Sequence, residues 1–556
     1  MLKSGVAMIA LLATSQAAIA QQPPPGAGGQ LRQIPPALLP HKGAPDIRVQ
    51  RGQAAPDPAA SAQRIRVNKV LVTGSSLFDE ADLVAVAAIR PGSDLSLAEL
   101  RSSAARIAAF YNARGYILAQ AYLPAQDVRD GAVTIAVVEG RYGKIEVRNG
   151  TGLSDRIATD ALSALNSRDP VDAGPLERRL LLLSDIPGLK VRSTLAPGGE
   201  VGTSDLTVDL TPGRRLTGSL EADNGGNRYT GAYRAGGSID VNNPAGIGDR
   251  LSLRLLGSTG GLAYGRAAYQ APVGNATLGL AFTHLRYELG REFKSLRADG
   301  TADIASLFGS YPLIRSRDSN LYALAGADAK WLSDRIDLVS ARSDKTSRAL
   351  TLGLSGDSRD GLGGGGRNSF SAGWAFGDLH LKSPADRAAD ALTARTEGGF
   401  SKLQISAARL QTVSGPLSLY AAVRGQLAFG NLDSSEKTEL GGAYGVRAYP
   451  EGEAYGDEGY LATLEARLML NRWTGRLPGE LQLFGFADFG QVKFADDPWF
   501  AGSNSASRSG IGAGLSWAAP GGALVRLSYA RKLGDAVATS GPDKDGRFWF
   551  QTSKLF

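Results

Sequence analysis

From Arg214 to Phe556 the chain repeats one short pattern: apolar and polar residues alternate between clusters of Gly, Asn, Asp and Ser. Leu251, Leu253 and Leu255 alternate with Ser252 and Arg254. Leu278, Leu280 and Phe282 alternate with Gly279, Ala281 and Thr283. Ala462, Leu464, Ala466 and Leu468 alternate with Thr463, Glu465 and Arg467, and Val525, Leu527 and Tyr529 continue the pattern. Successive side chains of a strand point to opposite faces, so each segment is a strand with one apolar and one polar face. Strands of about ten residues with this alternation suit a membrane barrel, apolar outside and polar inside. About 340 residues, at roughly 20 per strand and connection, predict some 16 antiparallel strands. The last segment, Arg547 to Phe556, is aromatic-rich and ends on Phe556 itself. A soluble β-sandwich shares the alternation. It has no need of 71 glycines, an export signal and a terminal aromatic strand.

The N-terminus supplies that signal. Lys3 precedes the apolar run Val6 to Ala13, and Ala18-Ile19-Ala20 fits the small-x-small cleavage rule, so the mature chain is predicted to start at Gln21. The run is too short to serve as an uncleaved membrane helix. An exported chain without a later apolar helix can still cross a membrane as a closed barrel, because every backbone group is then paired.

Residues 21–63 are rich in Pro, Gly and Ala and read as a linker. Leu31 to Leu39 has the makings of a short amphipathic turn, interrupted by Pro35-Pro36. Residues 64–141 form a first compact unit. Ile65 to Val72 reads as a strand and Asp79 to Ile89 as a helix. A second helix starts at Ser96, with Glu99 placed for a capping box. Strands at Tyr116 to Leu123 and Val133 to Val138 follow. Residues 142–213 repeat the order β-α-α-β-β, so the two units are an architectural duplication of about 75 residues each. Each is an α+β unit that buries a helical pair on a small sheet. The barrel occupies 214–556.

Composition excludes several chemistries. With no Cys and 3 His, neither a disulfide, a thiol catalyst nor a Cys/His metal site is expected, and no cofactor or metal is predicted. His41, His284 and His380 have no nucleophile beside them in sequence. Gly361 to Gly366 lacks the Lys-Ser/Thr and strand–helix context of a phosphate loop and reads as a connection between strands. A net charge of +7 without a basic block gives no reason to expect nucleic acid, and no enzyme is implied.

One connection stands apart. Gly441-Gly442-Ala443-Tyr444-Gly445-Val446-Arg447-Ala448-Tyr449-Pro450 carries a lone Arg447 among glycines and aromatics. In the later strand Leu483 to Gly490, Phe486, Asp488 and Gly490 share one face, and Leu483 and Phe489 lie on the other. Two arrangements fit. The loop, about 438–457, folds into the lumen and is pinned by an Arg447–Asp488 ion pair, or it is a surface loop and the lumen acid is unrelated.

At this point the residues resemble a known family, the two-partner-secretion transporters of the haemolysin secretion/activation group within the POTRA-barrel superfamily. Arg114 to Asp127, Gly131 to Ile135 and Val137-Val138-Glu139-Gly140-Arg141 are similar to a first POTRA domain. Leu180 to Leu189 and Val191 to Leu195 are similar to a second. Asp223-Asn224-Gly225-Gly226, Thr230-Gly231 and Asn243 to Asp249 resemble the first barrel hairpin.

The resemblance implies two periplasmic POTRA domains, a 16-stranded outer-membrane barrel and a role in moving one large exoprotein to the cell surface. Val446, Arg447 and Tyr449 match the loop tip of the family, while Ala448 stands where the family has Gly. If that Gly has positive φ, Ala448 is strained. Phe486, Asp488 and Gly490 match the barrel-wall motif that receives the Arg, which implies the pinned loop. The family often carries a helix that plugs the pore, and the Pro-rich stretch 21–45 departs from a good helix. Implied partners are a large haemolysin- or adhesin-like β-helical exoprotein, outer-membrane lipids and the barrel assembly machinery, with Phe556 as assembly signal. Two alternatives are an assembly or insertion factor of the same superfamily and a passive porin. Only two POTRA-like repeats and the Asn243 to Asp249 hairpin speak against the first, and a porin has no need of folded periplasmic domains.

Overall fold

The computed structural model describes residues 25–35, 46–50, 64–470 and 478–556. The cleavage-site residues Ala18, Ala20 and Gln21, and His41, lie outside them.

The C-terminal part is a closed antiparallel barrel of sixteen strands, from Leu216–Asp223 to Gly546–Leu555. Parity sorts the side chains as the alternation predicts. Leu251, Leu253, Leu255, Leu278, Leu280 and Phe282 lie on the outer surface, and Phe484, Phe486 and Asp488 are buried in the lumen. Five consecutive strands, Ala298–Arg315 to Gly398–Ser414, are the longest among the described residues. Gly361 to Gly366 makes the tight connection between two of them, through a short 3-10 turn at Leu362–Gly364.

The barrel closes where Leu216–Asp223 pairs with Gly546–Leu555, over the five pairs from Ser219↔Leu555 to Asp223↔Gln551. Phe556 extends this seam. Its amide donates to the Gly218 carbonyl and its carbonyl accepts from the Gly218 amide, both at 3.1 Å. Gly218 has no side chain to obstruct the Phe556 ring lying over it.

The first N-terminal unit is more elaborate than its sequence pattern. Instead of β-α-α-β-β it runs β-β-α-β-α-β-β. The expected first strand divides into Arg64–Val67 and Lys69–Thr73, and an extra strand, Ser93–Ser96, pairs with Arg64–Val67. The strand expected over Tyr116 to Leu123 shortens to Gln120–Tyr122. Helix Leu97–Ala113 starts at the Ser96/Glu99 capping box and buries Leu100, Ala104, Ile107 and Tyr111.

Glu139 ties this unit together. Its carboxylate accepts from the amides of Ser76 and Leu77 at 2.7 and 2.8 Å, and from the Tyr111 hydroxyl at 3.2 Å. Burial pushes this carboxyl up, but the Ser76, Leu77 and Tyr111 donors outweigh burial and hold it below its ordinary value.

In the second unit, helices Asp155–Asp160 and Ala173–Ser184 cover a sheet of Arg141–Asn149, Thr203–Pro212 and Leu189–Pro197. A fourth strand comes from the stretch read as linker. Asp46–Val49 pairs in parallel with Arg192 to Leu195 on the outer edge of Leu189–Pro197. The unit is clamped under the barrel mouth. Asp185 takes two hydrogen bonds from Arg315, at 2.8 and 3.0 Å, and Arg178 donates to the carbonyls of Pro312 and Leu313.

Deleting Phe556 removes both terminal hydrogen bonds of the seam, each worth about 1 kcal/mol. The expected result is a clear fall in heat-modifiable, folded barrel in the outer membrane. An unchanged yield contradicts this role.

Candidate functional site

Strands Leu417–Ala428 and Glu458–Met469 are neighbours in the wall. The connection between them, residues 429–457, does not stay outside but turns back into the lumen. It is longer than the 438–457 expected from sequence, because its first limb is inside as well. That limb is held by ion pairs: Asp433 with Lys345 at 2.6 Å, and Glu436 with Lys402 at 2.8 Å and with Lys330. The two limbs pair briefly, Thr438–Glu439 with Tyr455–Gly456.

At the tip, Arg447 meets Asp488. The guanidinium donates through Nε to Asp488 Oδ2 at 2.8 Å and through Nη2 to Oδ1 at 2.7 Å, a bidentate fork. The Arg447 amide adds a third bond to Oδ2 at 3.1 Å. Nη1 donates to Glu465 Oε1 at 2.7 Å. The guanidinium also lies over the Phe486 ring, 3.4 Å from its centre. Asp488 is 2% exposed and takes a further bond from Thr463 Oγ1. Glu465 is shared with Arg467 and Arg526. Two buried acids thus face three arginines, with every guanidinium in contact with a carboxylate. Such pairing is what a charge removed from water requires.

The neighbours in the motifs have distinct tasks. Val446, Ala448 and Tyr449 are buried against Phe484 and Phe486. Gly490 leaves room for Leu440 of the loop. On the next strand, Gly510, Gly512 and Gly514 face Ala448, Phe486 and Phe484, and a Cβ at any of the three would overlap them. Ala448 has no positive φ, so the strain expected there is absent. Its methyl is instead the group for which Gly510 makes space. Trp549 of the last strand donates to the Arg447 carbonyl at 2.7 Å. Glu465, Arg467, Arg526, Thr463 and Trp549 were not picked out as site residues. The signal was available, since Thr463, Glu465 and Arg467 are the inward positions of an alternating strand.

A second element shares the lumen. Contrary to the linker reading, Ala27–Arg32 is a short helix inside the barrel, upstream of Pro35-Pro36 rather than over Leu31 to Leu39. Its sequence, Ala-Gly-Gly-Gln-Leu-Arg, is a poor helix former, and the lumen supplies what propensity does not. The Ala27 amide donates to Asp334 at 2.8 Å, and Arg32 Nε to the Lys437 carbonyl at 3.0 Å. Arg234 and Arg254 of the wall donate to the carbonyls of Gln33 and Pro35, both at 2.8 Å. Gly28 has no side chain because Ser435 of the loop sits against it.

The remaining histidines serve no such site. His284 pairs with Asp303 and His380 with Glu397, and all four side chains are solvent-accessible.

Two POTRA-like units, the second clamped under a closed sixteen-stranded barrel, with an ion-paired loop inside that barrel, define a class of outer-membrane polypeptide transporter. Residues 202–516 match the family model described as haemolysin secretion/activation protein ShlB/FhaC/HecB, and residues 65–140 match the POTRA domain, ShlB-type. The chain belongs to this haemolysin secretion/activation family. It is 28% identical over 472 residues to the heme/hemopexin transporter protein HuxB of Haemophilus influenzae (strain 86-028NP), covering 84% of this chain and 82% of that protein. It is 25% identical over 415 residues to the outer membrane transporter CdiB of Dickeya dadantii (strain 3937), covering 72% and 71%. The fold is shared with the structure of CdiB from Escherichia coli, with a TM-score of 0.69 at 20% identity, covering 90% of this chain and 93% of that one. The chain is therefore an outer-membrane transporter of two-partner secretion, with its POTRA domains in the periplasm.

Arg447→Ala leaves Asp488 buried without its fork, while Glu465 keeps Arg467 and Arg526, at a cost of about 3–5 kcal/mol to the seated loop. Arg447→Ala and Asp488→Ala are each expected to abolish most secretion of the partner while leaving a heat-modifiable barrel. Arg447→Lys does not restore the fork. The double variant is expected to be no worse than either single one. Additive losses would show that the two residues do not act together.

Proposed function

We propose that this chain captures a large secreted protein, unfolded, through its POTRA domains and threads it through the barrel to the cell surface. The observation that carries this reading is the position of the second POTRA domain. Asp185 and Arg178 hold it against the periplasmic rim, so a polypeptide bound there is already at the mouth. The edge of Leu189–Pro197 is the natural docking place. A strand added to a sheet edge is held by main-chain hydrogen bonds and is accepted largely irrespective of sequence. In the resting chain that edge is taken by Asp46–Val49, which an incoming strand replaces. The same linker leads back to the lumenal helix, so its release also loosens what fills the pore.

For passage, the helix Ala27–Arg32 and the loop 429–457 must both leave the path. Both are held by hydrogen bonds and ion pairs, which can be exchanged for water or for the passing chain one at a time, and by apolar packing, Ala27 on Leu285 and Tyr287 and Tyr449 on Phe484 and Phe486, which must be exposed as they leave. The periplasm lacks ATP, so folding of the client outside supplies direction. A haemolysin- or adhesin-like β-helical client suits this, because it folds progressively as it emerges. The barrel sits among outer-membrane lipids, and its terminal strand with Phe556 is the segment for the barrel assembly machinery to read. An assembly factor would release clients sideways into the membrane. This chain's seam is instead sealed through Phe556 to the periplasmic end. No catalytic step is part of the reading.

Deleting residues 64–211 tests it. The barrel is expected to reach the outer membrane still, and partner secretion is expected to stop. Secretion at normal levels would remove client capture from the POTRA domains.

A further inference from the structure

The returning limb of the lumenal loop carries another buried acid, Glu453, which is fully shielded from solvent. Two separate elements converge on it. From the wall strand Ser505–Ala519, Arg508 donates to Oε1 through Nε at 3.0 Å and through Nη2 at 2.6 Å. From the connection between the last two strands, the amides of Thr539 and Ser540 donate to Oε2 at 2.8 and 2.9 Å. The hydroxyls of the same two residues add bonds at 3.0 and 3.1 Å. The Glu453 carbonyl receives the Leu440 amide at 3.1 Å, which joins the returning limb to the outgoing one.

A carboxylate this deeply buried persists only when it is both charge-paired and fully hydrogen-bonded, and Glu453 is both. Its hydrogen-bond partners are Arg508, Thr539 and Ser540. Those of Arg447, Asp488 and Glu465 are Thr463, Arg467, Arg526 and Trp549, besides one another. Among the described residues the two clusters have no hydrogen-bond partner in common. Their ionic grips differ: Arg447 grips the wall at the loop tip, and Glu453 grips the last extracellular connection, which leads into the strand that closes the barrel and which the tip touches through the Tyr449 hydroxyl on the Ala536 carbonyl and the packing of Ala448 and Tyr449 with Ala538.

We infer that Glu453 is a positioning residue, a second lock that ties the lumenal loop to residues 533–545 and keeps the outer half of the lumen shut independently of Arg447. This rests on reading the loop as the gate of the secretion pore, but its test needs no client.

The chain contains no cysteine, so single reporter thiols are unambiguous. Ala448→Cys reports the loop tip and Ala538→Cys the last connection, and both alanines are buried. Each reporter is labelled on intact cells with a bulky, membrane-impermeant maleimide. Glu453→Gln is expected to speed labelling at Ala538→Cys about tenfold or more and to leave Ala448→Cys nearly unchanged, as expected of a local opening. Arg447→Ala is expected to give the reverse. Arg508→Gln removes the wall half of the same contact and should match Glu453→Gln, which also covers a poor yield of the latter. If both reporters speed up together in the Glu453 and Arg508 variants, there is one lock and the inference is wrong. If neither changes, Glu453 holds nothing shut. Secretion assayed in the same strains reports on the gate reading separately, because the labelling pattern can hold while secretion contradicts it.

Discussion

The structure depends on how a guanidinium can be kept inside a membrane barrel. Arg447 cannot lose its charge, so it has to be paired wherever it is buried. Asp488 and Glu465 supply that pairing from two adjacent strands, and Phe486 supplies a flat face for the cation. The rest of the site follows from this requirement. The wall needs acids at inward positions, which fixes the register of strands Glu458–Met469 and Glu480–Lys493. The loop must bring its backbone close to the wall, which the glycines at 510, 512 and 514 permit. Breaking the pair leaves buried Asp488 with Thr463 as its remaining side-chain partner, a cost that holds the loop in its seat.

Other contacts in the lumen repeat the principle at lower cost. The short helix, the first limb of the loop and the wall are joined by Lys–Asp, Lys–Glu and Arg–carbonyl contacts, beside apolar packing of Ala27, Leu31 and Ile34 around Leu285 and Tyr287 and of Leu432 on Phe400. An apolar plug would be held by burial and would leave only by exposing a large hydrophobic surface to water. A polar plug exchanges each hydrogen bond for one to water, at a net cost near 1 kcal/mol apiece. On the proposed reading, the polar share of these contacts is the part that a passing polypeptide can replace bond by bond.

Much of the fold was legible because it rests on local periodicity. Alternation with a period of two specifies a strand and its inward face without reference to a partner, and so the barrel and the lumen position of Asp488 could be read directly. The helix at Leu97 declared itself through Ser96 and Glu99. What the sequence concealed depends on distant partners. Ser93–Ser96 is a strand only because Arg64–Val67 lies beside it, and Asp46–Val49 only because the second POTRA domain leaves an edge free. The lumenal helix is six residues of weak helix formers, and its stability comes from Asp334, Arg234 and Arg254, hundreds of positions away. Ala448 was expected to be strained on the supposition that a glycine belongs there for its backbone freedom. Its backbone needs none, and the glycine that matters is Gly510 opposite it.

The central claim is that the lumenal loop must leave its seat for a client to pass. Ala443 of the loop faces Gly225 in the connection after the first barrel strand: a Cβ at Gly225 would stand 3.2 Å from that of Ala443, so a shift of a few tenths of an ångström brings the pair into the disulfide range of about 3.5–4.5 Å. Ala443→Cys together with Gly225→Cys, in a chain with no other cysteine, therefore permits one disulfide and no other. Partner secretion by this variant should be blocked when the pair is oxidised and should recover on mild reduction. Equal secretion in the oxidised and reduced states would contradict the account, because the client would then be passing a loop that cannot move.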